Sequence, residues 1–561
     1  MATLPSASLT IDESASAFAG GTGYIVVMGC VAQNADSVPR VIGSTQDLLD
    51  EYGYSPAVDY CAIHFAETRK PVIFVGLPVT TAGTLGSEDS SGVAGSSAIT
   101  VAATSSGSIM EQVDAIVTVV NGGTIGTDSI TFSLSLDNGV TSQIVRLGTA
   151  SSYAIPFVGI TLSFGAGTLL AADAYKFRST APMWGSTAMS TARTALAGQQ
   201  NLARSWMVVG DLPNSTFAAY VTTEVNGYET SNERFVYARC QVPDRLPLAR
   251  KSRDGTETLT FTTTTCTRSV GSWLLDGFAV GQSITFKNTV DNNVTETITV
   301  LTDTVLTVAS GFAAETIVSK LVTATGNLTV AAWMSAETAA FAVVDAQKRI
   351  DLGIGRAAKL SPITGYMHRR PAAWAASIRE YQHDVQIPCW RKADGPLDGF
   401  MLTDANGNTV EFDERFDGGG LAGRFTCLRS YSNGPLGAFV ALSLTRDSEG
   451  ALLSRTQNMA VTDVACTTVQ ASTENAIGQV LVLNANGTGT DASLKIIEQR
   501  VNRDLQVALL QNFTEGPRAS SAVWTASRTD VLSAPGSTLN GSLALVLDGT
   551  LEQIATSVKV S

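Results

Sequence analysis

Charge is scarce in this chain. Asp, Glu, Lys and Arg make up 16 % of its 561 residues, against about 25 % in an average soluble domain. Cations are the scarcer sign: 37 Lys and Arg face 50 Asp and Glu, a formal net charge of −13. Nucleic-acid binding is therefore not expected, because phosphate recognition needs clustered basic surface. Apolar residues reach 44 %, the opposite of a disordered composition. A surface this poor in charge is expected to be covered largely by other copies or partners.

Long hydrophobic runs are missing too. The longest, YIVVMGCVA from Tyr24 to Ala32, is about half of the ~18 residues that cross a bilayer. The opening MATLPSASLTIDES has neither a basic start nor an apolar core, so no export signal is expected. Histidine occurs only as His64, His368 and His383, none at metal-ligand spacing from another His or Cys. His64, in an apolar helical stretch, reads as a hydrogen-bonded core histidine. HExxH, GxSxG and GxxxxGK[ST] are absent. The seven cysteines (Cys30, Cys61, Cys240, Cys266, Cys389, Cys427, Cys466) form no CxxC. Each is expected to be a small buried hydrophobe, the odd count leaving room for one bridge between chains outside a reducing compartment. GGTG at Gly20 to Gly23 precedes a strand, whereas a phosphate cradle follows one, so it reads as a turn at a domain entrance. Asp404-Ala-Asn406-Gly-Asn408 has its glycine fourth, where a calcium loop needs it sixth, and reads as a hairpin turn. Asp413, Glu414 and Asp417 with Arg415 among them read as a solvated loop or a partner surface. No nucleophile, base and oxyanion donor come together, and the chain reads as no enzyme, with no cofactor and no metal.

What is present alternates in style. Mixed α/β patterning covers GYIVVMGCVA and PVIFVGLPV as buried strands, Ser44 capping TQDLLDEYG, and a helix over 59–68. It returns in a helix over 187–200, the strand SWMVVGD, and a helix capped by Asn214. The apolar positions of that last helix are Phe217, Tyr220, Val221, Val225 and Tyr228, with the strand RFVYARCQV after it. Between and after these lie Ser/Thr/Gly-rich alternating stretches, broken by NGG, DNG and DNN turns. Ser335 reads as the cap of a helix AETAAFAVVDAQKRIDLG. Later strands are expected at 399–402, 410–412, 440–444, 461–464 and 479–483. The longest helix spans 493–512, with Leu494, Ile497, Val501, Leu505 and Leu509 on one stripe. Lys495, Arg500 and Arg503 lie on its polar side, a solvated face by default and otherwise a positive stripe for an acidic partner.

The expected fold class is a multidomain α+β and α/β chain. A discontinuous α/β core takes residues 20–80, 181–250 and 331–366, with inserted β units at 81–180 and 251–330. A C-terminal α/β unit covers 367–548, and strand-like arms cover 1–19 and 549–561. Leu9 and Ile11 at one end, and Leu543, Leu545, Leu547, Val558 and Val560 at the other, alternate as strands do.

This order of weak motifs resembles the tail sheath proteins of contractile-tailed bacteriophages, related to pyocin and type VI secretion sheaths. The resemblance lies in the glycine-led GYIVVMG strand, VIGSTQDLLDEYG over 41–53 with Tyr60-Cys-Ala, and the closing PVIFVGLPV. It continues in the long helix, a loop TEGPRASSAVWTA over 514–526 and the alternating terminal strand, and covers about 20–80, 185–250 and 330–561. The opening SASLTIDESASAF departs from the family's usual start. The resemblance implies a structural subunit that polymerises as six-fold rings around a tail tube and contracts by rigid-body rotation. Its terminal arms would add strands to neighbours. Partners would be other copies, a tube protein, and baseplate and terminator proteins, in a virion tail assembled in the bacterial cytoplasm. The tube-facing side is expected on the C-terminal unit, at Lys495, Arg500 and Arg503. The rival reading is a passive β-rich virion protein (tube, capsid decoration or adhesin) or a surface-layer protein.

Overall fold

The computed structural model describes residues 23–547 except 87, 89–92, 200–202, 233, 245–248, 253–257, 270–272, 274–277, 279, 303, 310, 319–322, 328–329, 346, 403–420, 432–436, 449–450, 512, 514–515 and 534–538. Leu9, Ile11, Val558, Val560, both expected arms and the acidic stretches at 404–411 and 412–417 lie outside the described residues.

The chain is a mixed α/β protein of several sheets. Its centre is β1 (Tyr24–Cys30), β2 (Arg40–Ile42), β3 (Val72–Leu77), β4 (Ala203–Asp211), β5 (Tyr237–Gln241), β6 (Gln347–Gly353) and β7 (Thr445–Arg446). These form one sheet in the order β2-β3-β1-β4-β5-β6-β7. The five inner strands run parallel, and β2 and β7 close the edges antiparallel. Parallel strands covered on both faces need apolar side chains on both. Val26 and Met28 enter a core with α3 (Ser186–Ala197) and α4 (Ser215–Asn232), while Ile25 and Val27 enter the opposite one. That second core holds α1 (Thr45–Tyr52), α2 (Pro56–Thr68) and α6 (Ala372–Gln382). Ser44 Oγ accepts from the Asp47 N–H and Ser55 Oγ from the Val58 N–H, which sets the starts of α1 and α2. Asn214 Oδ1 accepts from the Thr216 N–H at 3.0 Å ahead of α4.

Two β-rich stretches interrupt this sheet. Residues 99–178 form a four-stranded, a three-stranded and a two-stranded sheet around Phe132, Leu134, Ile160 and Tyr175. Residues 249–327 form an eight-stranded sheet around Phe261, Trp273, Phe286 and Leu306. The C-terminal part adds α7 (Thr456–Glu474), α8 (Asp491–Leu505) with a π-helical turn over Gln506–Leu510, and the hairpin β8 (Ala519–Ala526) and β9 (Gly541–Leu547).

Several sequence expectations need correction. The helix expected from Ser335 is α5 (Val330–Ala340), and its expected second half, QKRIDLG, is the central strand β6. Within it Arg349 and Asp351 are buried and paired. Val461 and Val464, expected in a strand, lie inside α7, where a threonine-rich run is held by tertiary packing against its weak propensity. Among the described residues, 479–483 join no ladder beyond a single Leu483–Gly489 bridge. TEGPRASSAVWTA, expected as a loop, becomes strand from Ala519. Residues 367–446, expected with the C-terminal unit, supply α6, Phe400, Leu428, Val440 and β7 to the central cores and sheet. All seven cysteines are described, with Cys466 half-buried and the others buried, and none is bridged within the chain.

Candidate functional site

The C-terminal hairpin stands on α8. Thr490 caps that helix, its Oγ1 accepting from the Ser493 N–H, and Leu494, Ile497, Val501, Leu505 and Leu509 are all buried as their spacing requires. Ala522, Trp524 and Ala526 of β8 enter the same core, with Leu543, Leu545 and Leu547 of β9 packed against it half-buried. The alternate residues, Val523 and Val546 among them, point outward. Leu543 pairs with Trp524 and Leu545 with Ala522. These three leucines therefore sit in a hairpin within the chain, correcting their expected place in an arm: the turn after 526 returns the chain along β8.

The two edges of this ribbon differ. Along β8, α8 side chains take the outward backbone groups: Asn502 Oδ1 accepts from the Trp524 N–H at 2.7 Å, and Asn502 Nδ2 donates to the Trp524 carbonyl at 3.0 Å. Glu498 Oε1 accepts from the Ala526 N–H at 2.9 Å. Arg528 grips Glu498 through both Nη atoms at 2.8 and 3.0 Å, and these hydrogen bonds hold the Glu498 carboxyl below its usual range. The outer edge of β9 has no ladder partner among the described residues. An unprotected edge of this kind is a template for another strand.

The polar face of α8 is not uniformly basic. Lys495 is exposed, Arg500 Nη1 donates to the Asn475 carbonyl at 2.9 Å, and Arg503, 71 % exposed, pairs with Asp504 at 3.0 Å.

The three histidines lie apart. Both ring nitrogens of His64 lack a hydrogen-bond partner, and the ring packs with Tyr60, Phe65 and Tyr381, so the expected hydrogen bond is not made. Burial, then Lys70, pushes its pKa down to about 3. His368 Nε2 lies 3.0 Å from Thr364 Oγ1, and burial pushes its pKa to about 3 as well. His383 caps the end of α6 and lies 3.2 Å from Asp394.

Sequence reasoning missed a set of buried ion pairs. Arg239 meets Asp351 at 2.7 Å and Glu380 at 3.0 Å, and Arg204 meets Glu380 at 3.0 Å. Arg349 joins Asp463 of α7, at 2.9 Å, to Glu229 of α4. Arginine and acid at alternate positions of an otherwise apolar strand, as in RIDL, were the available signal. A crevice at the carboxyl ends of β1 and β4, where the order of parallel strands reverses, is where ligands bind in open α/β sheets. Here it has shrunk to about 40 Å³, lined by Cys30, Gly210, Asp211, Glu111, Arg356 and Arg370.

A scan of protein-family models finds no match, and a search of curated proteins finds none either. Among solved structures, the sheath tail protein Lin1278 of Listeria innocua is similar at 9 % identity and a TM-score of 0.38, over 94 % of this chain and 95 % of that one. A chain of the six-fold symmetrised anti-feeding prophage baseplate is similar at 7 % identity and a TM-score of 0.43, over the whole of both chains.

Proposed function

We propose that this chain is the structural subunit of a contractile tail sheath. It polymerises into six-fold helical rings around a tail tube and contracts to drive that tube through a host envelope. The observation that carries the reading is the unequal ribbon: α8 closes the β8 edge with Asn502 and Glu498, and the outer edge of β9 has no ladder partner among the described residues. Two strands alone make a marginal sheet, and a third from a neighbour would gain backbone hydrogen bonds and side-chain register together. The alternating segments around Leu9 and Ile11, and around Val558 and Val560, have the pattern such a strand needs. A head-to-tail contact that does not close on itself winds into a tube.

Contraction then needs only rigid bodies turning about strand hinges. The buried ion pairs that bind α6 and α7 to the central sheet, and Glu111 of the first insertion to Arg370 just ahead of α6, support a body that moves as one. The work comes from the lattice, with no cofactor and no catalytic residue. Partners are other copies, a tube protein met by the face carrying Lys495, Arg500 and Arg503, and baseplate and terminator proteins. The setting is a virion tail assembled in the bacterial cytoplasm. Deleting residues 549–561 tests this reading: the shortened chain should fold with unchanged stability but no longer polymerise. Unchanged assembly would favour a passive decoration protein.

A further inference from the structure

A trough lies between α7 and the amino ends of β1 and β4, at the opposite end of these strands from the plugged crevice. It has two compartments. The first, of about 410 Å³, is walled by Gly23, Ala203, Arg204 and Phe235 on the sheet side and by Val464 and Ala471 on α7. The second, of about 420 Å³, shares Ala203, Phe235 and Ala471 with it and continues along the helix. Small-molecule pockets measure about 300–1,000 Å³, and a cavity of ~150 Å³ already takes a benzene ring.

One donor in this wall lacks an acceptor. Arg204 is 6 % exposed. Its Nη2 meets Glu380 Oε1 at 3.0 Å, Nη1 donates to the Glu380 carbonyl at 3.5 Å, and the guanidinium stacks on the Tyr381 ring. Nε has no hydrogen-bond partner among the described residues. A buried donor left so costs about 1–3 kcal/mol, a cost that an oxygen acceptor on a ligand removes.

The surrounding charges decide what kind of oxygen that is. Arg204 and Arg239 answer Glu380 and Asp351, two against two. Arg349 alone answers both Glu229 and Asp463, and Asp463 lines the trough. A further anion would meet that surplus of negative charge in a poorly solvated place, where like charges repel strongly. An uncharged oxygen meets no such penalty. We infer that the trough is a binding site for an uncharged apolar molecule carrying one carbonyl oxygen. Its body lies against Phe235, Val464 and Ala471, and its oxygen accepts from Arg204 Nε. The site is complete in a single chain and stands apart from the tail reading.

Prodan, a neutral naphthalene with one ketone and an emission that shifts to the blue in apolar surroundings, tests the site when titrated into the full chain at neutral pH. It should bind one to a chain. Its affinity should exceed that of dimethylaminonaphthalene, the same ring system without the ketone, about tenfold or more, as a hydrogen bond to a charged donor gives. Saturating Prodan should slow hydrogen exchange of the 464–471 amides and leave those of α2 unchanged. Ala471→Phe, which fills the first compartment from α7, should abolish binding. Arg204→Lys keeps a charge for Glu380 but has no Nε, and should bind the two naphthalenes equally. Exchange in α2 at the rate of the unaltered chain shows that each variant is folded. Absence of saturable binding to the unaltered chain overturns the site, as does equal affinity for the two naphthalenes there. Unchanged exchange at 464–471 under saturating Prodan overturns it without recourse to any variant, and undiminished binding in folded Ala471→Phe overturns it too.

Discussion

Arg370 and Glu111, 259 residues apart in the chain, meet with Nη1 2.9 Å from Oε1, both side chains buried. The contact plugs the crevice where the strand order reverses. Tyr54 donates to the other Glu111 oxygen at 2.5 Å, and Asp59 takes the second Arg370 nitrogen. Glu111 of the first β-rich stretch is thereby joined by charge to Arg370, in the strand Met367–Pro371, beside Asp59 of α2.

Glu111→Gln should therefore destabilise the protein by about 3–5 kcal/mol, the usual cost of leaving a buried partner uncompensated. Chemical denaturation at neutral pH reads this. Burial pushes the Glu111 carboxyl up, but Arg370 and His368 outweigh it and hold it below its usual range. Its stabilising contribution is accordingly full above the unfolded glutamate pKa, about 4.3, and is lost as pH falls through the lower folded one. The gap between parent and variant should narrow in acid; a gap independent of pH would count against the ion pair.

His64 makes the opposite kind of prediction. With a folded pKa of about 3 against about 6.5 unfolded, the imidazole is neutral when buried and charged when released. Stability from this residue is whole above pH 6.5 and falls by about 1.4 kcal/mol per unit below it. His64→Phe keeps a ring among Tyr60, Phe65 and Tyr381 and removes the titration. The variant should gain about 1.4 kcal/mol on the parent between pH 6 and pH 5. A constant difference across that interval would contradict the assignment.

Gly541 faces Ala526 across the hairpin, and a Cβ placed there would land inside the Trp524 indole. Gly541→Ala should cost about 1–3 kcal/mol and loosen the ribbon, measured as faster hydrogen exchange in 519–526 and 541–547 with α2 unaffected. Because the edge proposed to take a neighbour's strand belongs to β9, the same variant should assemble poorly.

Reversing Lys495, Arg500 and Arg503 to glutamate should weaken binding of a tube protein about tenfold or more and leave self-assembly intact. Equal tube binding would remove these residues from that face. Arg500 and Arg503 are already engaged by the Asn475 carbonyl and Asp504, so Lys495 should carry the largest share.

The legible parts of the chain were those whose physics is local. The runs IVVMG, VIFVG and SWMVVGD are apolar on both faces because parallel strands have no wet side, and they became β1, β3 and β4. Leu494 to Leu509 kept their helical spacing because one face of α8 carries the hairpin. Where burial depended on a distant partner, the reading failed. Arg349 and Asp351 fell within an expected helix, whereas they lie in a buried strand paired with Asp463 and Arg239 from elsewhere in the chain. Val461 and Val464 looked like a strand because their β-branched propensity outweighed a packing role that only the fold supplies. At the ribbon, alternation in LALVL announced a strand, but nothing local said that β8 would take one of its edges and that the other would have no ladder partner among the described residues.

The most direct test is negative-stain microscopy of the purified full chain at high concentration. The account predicts hollow tubes with six-fold symmetry in end views, absent when residues 549–561 are removed. A population of single particles at every concentration reached, identical with and without those residues, would contradict it.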